Sequence, residues 1–151
     1  MDTQRLDNLE NRLREHMHDN LDGTMKLPST VFVTKSLEST QPQTAGNFGI
    51  FFVATRPCFV KAVSEVHTVA GNDAGAVTLQ IERLQSTEAL DSGAVMLATA
   101  FDLKGTANTV QRGDLLKGTV LSLRQGDRLA LKDSGVLTTL QGVCITVEIQ
   151  Y

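Results

Sequence analysis

Tryptophan is absent from the chain, and tyrosine occurs once, at Tyr151. Sugar sites are built on exposed aromatic platforms, so this scarcity speaks against a lectin. Five of the seven aromatics lie between Phe48 and Phe101, four of them in the apolar stretch from Phe48 to Phe59. Core packing is the default for such a stretch. Cysteine is as scarce. Cys58 and Cys144 stand 86 positions apart with no CxxC or Cys/His spacing, which excludes zinc and thioredoxin-type chemistry. Two buried free thiols in a reducing compartment are the expectation, with a single disulfide as the alternative. No run approaches the ~18 consecutive apolar residues of a membrane span. The start, Met1-Asp2-Thr3-Gln4-Arg5-Leu6, has neither the basic head nor the apolar run of a signal peptide. Charge of one sign is also lacking: 14 Lys and Arg stand against 17 Asp and Glu, for a net charge of −3. The positive charges are scattered, whereas counterion release needs a concentrated basic surface. Neither a membrane nor nucleic acid is expected as a direct partner, and synthesis in the cytoplasm is.

What is present is a soluble globular profile, with 41% apolar and 21% charged residues over 151 positions. That length is one ordinary domain with a short appendage. The appendage reads as a helical arm over residues 1–26. Asp2 or Thr3 can serve as N-cap, and Leu6, Leu9, Leu13, Met17 and Leu21 form a one-sided stripe. Glu10 precedes Arg14 by four residues, the favourable order for a surface pair. Asp22-Gly23 and then Pro28 end the helix. In strict a/d spacing the seam runs Leu6, Leu9, Leu13, His16, Asn20 and turns polar after about two heptads. Such a short helix is marginal in isolation. Its stripe therefore packs on its own β-domain, joins symmetry mates, or grips another protein.

From Pro28 onward the period changes to two. Val31-Phe32-Val33 is a short extended run, and Glu38 to Gly46 is a polar linker or surface loop. Residues 27–46 thus form an extended segment, and residues 47–151 a β-domain long enough to bury a two-layer core. Its candidate strands are Phe48–Ala54, Phe59–Val69, Val77–Glu82, Val95–Leu103, Thr119–Leu123, Arg128–Lys132 and Val143–Gln150. The last is the cleanest, with Val143, Ile145, Val147 and Ile149 facing one way. Seven to nine strands predict a mainly β protein, an antiparallel, jelly-roll-like β-sandwich preceded by a short N-terminal α-helix. Asp73-Ala74-Gly75, Asp91-Ser92-Gly93 and Asp133-Ser134-Gly135 share a turn chemistry in which glycine takes a positive φ. Each offers only one carboxylate, too few for calcium.

No catalytic set emerges. Glu65 and His67 lie on one face of a strand, where a cross-strand surface pair is the expectation. His16 and His18 are ~200° apart on a helix and cannot share a metal within one chain. Three copies of His16 could meet on a bundle axis, though a solvated or hydrogen-bonded histidine is the simpler reading. Gly46-Asn47-Phe48-Gly49 lacks the Lys-Ser/Thr of a phosphate loop. Arg112-Gly113-Asp114, a string that some adhesion receptors read, falls where a β-turn is expected. No cofactor, metal or catalytic residue is predicted.

The stretch from Gly49 to Tyr151 resembles a module that recurs among structural proteins of tailed bacteriophages. The resemblance is carried by Pro57-Cys58, the run His67 to Gln80, the run Ala100 to Val110, Gly126 to Gly135, and the closing strand Val143 to Tyr151. It implies a capsid decoration (cement) protein, typically a homotrimer, on the outer surface of the expanded virion head. There it would bridge neighbouring subunits of the major capsid protein without catalysis. A trimeric tail- or head-fibre module contacting the host is the alternative implied, and a sugar-binding sandwich the third. The arm lies outside the matched region. Its stripe, Leu6, Leu9, Leu13, Met17 and Leu21, is the expected oligomer or capsid contact on pattern alone.

Overall fold

A computed structural model describes residues 28–37 and 49–151 of the protein. The predicted helical arm, with Leu6, Leu9, Leu13, His16, Met17, His18 and Leu21, lies outside the described residues.

Among the described residues ten strands follow one another: β1 (Thr30–Leu37), β2 (Ile50–Val53), β3 (Cys58–Val66), β4 (Thr78–Leu84), β5 (Ala94–Val95), β6 (Phe101–Asp102), β7 (Gln111–Arg112), β8 (Ser122–Leu123), β9 (Arg128–Ser134) and β10 (Val143–Gln150). A 3-10 turn, Thr119–Leu121, precedes β8. Sheet I has the order β1-β10-β3-β7, with β8 also on β3; sheet II has the order β2-β9-β4-β5, with β6 also on β4. Every pairing is antiparallel. The chain changes sheet after β1, β2, β3, β6, β8 and β9, so strands remote in sequence become neighbours. That strand order is a jelly roll.

Alternation explains the layers. In β10 the four residues Val143, Ile145, Val147 and Ile149 are buried and the alternate four, Cys144, Thr146, Glu148 and Gln150, are half-buried. They pack in one cluster with Val60 and Val63 of β3 and with Leu79, Ile81, Leu129 and Leu131 of sheet II. Each such side chain contributes about 1.5–3 kcal/mol by leaving water. Residues 30–37 of the extended segment form β1, paired with β10 from Thr30↔Gln150 to Leu37↔Val143.

Three local expectations are revised. Val95–Leu103 is not one strand. The Gln80 side chain donates to the Leu97 carbonyl and accepts from its N–H, both at 2.9 Å, so an amide replaces a strand partner there. Arg112-Gly113 is not a turn: Arg112 pairs with Ser64 in β7, and the Gly113 N–H donates to the Val63 carbonyl. A Cβ on Gly113 would stand 2.6 Å from Leu97 Cδ2. In Asp91-Ser92-Gly93 the positive φ, 65°, belongs to Asp91. Gly93 is needed for close approach instead, since its Cβ would lie 2.5 Å from the Arg83 carbonyl oxygen. Both cysteines are free; Cys58 is buried, but Cys144 faces outward on β10 and is only half-buried. Burial pushes the Cys58 thiol up.

Candidate interaction surface

The outer face of sheet I is set by the β10 register. Thr146 lies between Thr34 and Ser64, Glu148 between Phe32 and Ala62, and Gln150 between Thr30 and Phe59. Period two thus sends Phe32 and Phe59 to the same outer face, away from the core. Their exposures are 65% and 53%. The core expectation for Phe59 is corrected: Cys58 and Val60 on either side of it are buried, so alternation turns the ring between them outward. Phe51 and Phe52 are partly buried against the core, and Phe48 lies outside the described residues.

The ladder shifts register between Glu148 and Ile149, where Ile149 pairs with Val60 and Glu148 with Ala62. Lys61 is therefore the extra residue of a bulge, which bends and twists the strand. Beside it a groove of about 650 Å³ runs between the Phe32 ring, the Thr146–Glu148 stretch and the Arg112–Leu115 segment. Two cations, Lys61 and Arg112, and two anions, Asp114 and Glu148, border it. Among the described residues none of the four is ion-paired.

Behind the groove sits Glu65 with His67, a pair buried to 1% and 0% exposure. The expected surface pair is thus an interior one: Glu65 pairs with Ile145 in register and shares its inward side. His67 Nε2 lies 3.2 Å from the Gly105 carbonyl oxygen, and Nδ1 lies 3.0 Å from Glu65 Oε1. A carbonyl only accepts, so Nε2 donates to Gly105, and the other ring nitrogen faces the carboxyl. Gln111 Nε2 donates to Glu65 Oε2 at 2.9 Å and to the Asp102 carbonyl at 2.7 Å. Burial pushes the Glu65 carboxyl up, opposed by the hydrogen bonds and charge of His67 and by Gln111. The contacts to Gly105 and Gln111 tie the segment after β6, and β7, to β3.

Among the described residues no group of three or more His, Cys, Asp or Glu could hold a metal ion. The stripe named from the sequence, Leu6 to Leu21, falls outside the described residues. Neither exposed phenylalanine is singled out by the sequence; for Phe59 the signal is its place between the buried Cys58 and Val60, whereas Val31 and Val33 beside Phe32 are themselves partly open.

No protein-family model matches the chain, and no curated protein matches it. Among solved structures, the fold is similar to that of a chain in the cyanophage Pam1 capsid asymmetric unit. The TM-score is 0.56 at 13% sequence identity, over 82% of this chain and 85% of that one. At that identity the likeness is one of fold, and it extends over most of both chains.

Proposed function

We propose that the protein is a structural component of a phage virion. It decorates the outer surface of the expanded capsid as a homotrimer and bridges neighbouring major capsid subunits, without catalysis. The observation that carries this reading is the shared fold with a chain of a cyanophage capsid asymmetric unit over 82% of this chain. The exposed face of sheet I supplies apolar and charged contact residues of the kind a protein interface uses. The stripe Leu6, Leu9, Leu13, Met17 and Leu21 is the second contact element.

The mechanism is mechanical. A bridge that binds the assembled shell, and not its separated subunits, stabilises the shell by mass action. A stable contact needs about 800 Å² per partner, a modest share of the 9567 Å² surface of the protein. Quantitative mass spectrometry of purified particles tests the reading through the copy number relative to the major capsid protein. Hundreds of copies, close to one per capsid subunit, are expected. A few copies in a small multiple of three would point to a fibre, and absence from the particle would overturn the virion reading.

A further inference from the structure

We propose that the outer face of sheet I seats the N-terminal arm of a second copy of this chain, so that arms passed between copies build the oligomer. This deepens the structural reading above and rests on it for its biological setting.

The face is apolar where it is most open. Phe32 and Phe59 stand 65% and 53% exposed on one side of the sheet, and the groove lies beside Phe32. The chain carries its own complement in the 27 residues before Pro28, whose five-residue stripe from Leu6 to Leu21 needs cover. Dimensions agree. A helix of ~20 residues is about 30 Å long, and the eight residues of β10 run about 27 Å. Charge agrees as well. The arm's sequence carries Asp7 and Glu10 with Arg12 and Arg14, and the groove is bordered by groups of both signs that form no ion pair among the described residues, Lys61 and Arg112 with Asp114 and Glu148.

The direction of the chain selects a neighbour over the same copy. Ser29 prolongs the β1–β10 ladder, its carbonyl accepting from the Tyr151 N–H at 2.9 Å. Its hydroxyl accepts from Arg56 Nη2 at 3.4 Å, and Arg56 is itself stacked 4.3 Å over the Tyr151 ring. The described chain thus begins at the end of the β1–β10 ladder, and a segment that starts there must reverse to cover its own face. An arm seated on the next copy makes a head-to-tail contact, and such contacts close into a ring when the rotation allows.

The test uses the full chain. Amine cross-linking of a refolded 1:1 mixture of ¹⁴N- and ¹⁵N-labelled protein should give mixed-mass links between Lys61 and the Met1 or Lys26 amines. Light scattering should find the wild type oligomeric and the Phe32→Ser/Phe59→Ser double variant at the mass of a single 16.4 kDa chain. Leu9→Asp/Leu13→Asp should give the same loss. Links of uniform isotope only would put the arm on its own copy and overturn the proposal. An oligomer that survives both pairs of substitutions would overturn it too, as would a monomeric wild type. Should a variant fail to fold, the cross-links of the wild type still decide. None of these outcomes changes the particle copy number, so a failure here is distinct from failure of the virion reading.

Discussion

The two sheets share one core yet treat the centres of their outer faces differently, although Ile50 and Val53 on the β2 edge of sheet II are exposed too, at 42% and 52%. On sheet II, Glu82, Leu84 and Ala130 are all 0% exposed but lie outside the central cluster, so they are covered from outside. The cover is the segment between β4 and β5. Glu82 accepts from the Asp91 N–H at 2.8 Å and the Gly93 N–H at 3.0 Å. Arg128 holds the Ser86 and Glu88 carbonyls, and Lys132 holds that of Asp91. On sheet I, among the described residues, the corresponding face displays Phe32 and Phe59 to solvent. A face that its own loop closes is free to bury a carboxylate, because backbone donors meet it there. A face left open keeps its rings for something else.

The cover on sheet II is the easiest part of this contrast to break. Glu82→Ala leaves the Asp91 and Gly93 N–H groups without their acceptor in a buried site, and the expected loss of stability is about 3 kcal/mol. Urea denaturation of the purified protein checks it. Gly93→Ala attacks the same cover sterically, since the new methyl would meet the Arg83 carbonyl at 2.5 Å and Leu84 Cδ2 at 2.7 Å. Overpacking of that kind costs about 2 kcal/mol. A change below ~0.5 kcal/mol for both, the size of an ordinary surface substitution, would mean that the segment does not seal sheet II.

A smaller effect is expected behind the groove of sheet I. Glutamine at position 65 can donate to His67 Nδ1 and still accept from Gln111, so Glu65→Gln keeps the geometry while removing the titration. Burial raises the folded-state value of Glu65 above its ordinary 4.5. The folded protein therefore holds this proton more tightly than the unfolded chain does. The contribution is fully present below 4.5 and is lost as pH rises through the raised value. Glu65→Gln should be nearly neutral in acid and should gain on the wild type as pH climbs from 4.5 upward. Paired thermal melts across that range read the difference. A gap that stays flat or narrows as pH rises would contradict the buried arrangement.

The same contrast separates what the sequence could show from what it could not. Val143 to Gln150 alternates without a break, so β10 and its inward face are legible residue by residue, as are the inward Leu79 and Ile81 of β4; β9 runs on through Asp133 and Ser134, where the Asp-Ser-Gly pattern predicts a turn. Phe32 and Phe59 were legible in principle, because each stands between neighbours that point the other way. Glu65 and Glu82 were not. Period two places a carboxylate on a face, but whether that face is wet depends on segments tens of residues away, Gly105 and Gln111 for one and Asp91 and Gly93 for the other. The fragmentation of Val95–Leu103 has the same origin, since it follows from Gln80 reaching across to Leu97. Strand patterns are local properties, whereas the satisfaction of buried polar groups is a tertiary one.

The smallest expected effect bears most directly on function. Phe32→Ser with Phe59→Ser should change the stability of an isolated copy by less than ~0.5 kcal/mol each, because exposed rings give up little on removal. Ile145→Ala, 0% exposed on the inward side of the same sheet, should cost about 3 kcal/mol through lost burial and the cavity left behind. Urea titrations at a protein concentration low enough to hold the chain monomeric separate the two cases. If the phenylalanine pair proves as costly as the isoleucine, the rings are already covered within one copy, and the open face of sheet I is closed by the chain itself. If the pair is silent in the monomer, its rings have no folding role among the described residues, and the contact that retains two exposed phenylalanines must lie between molecules.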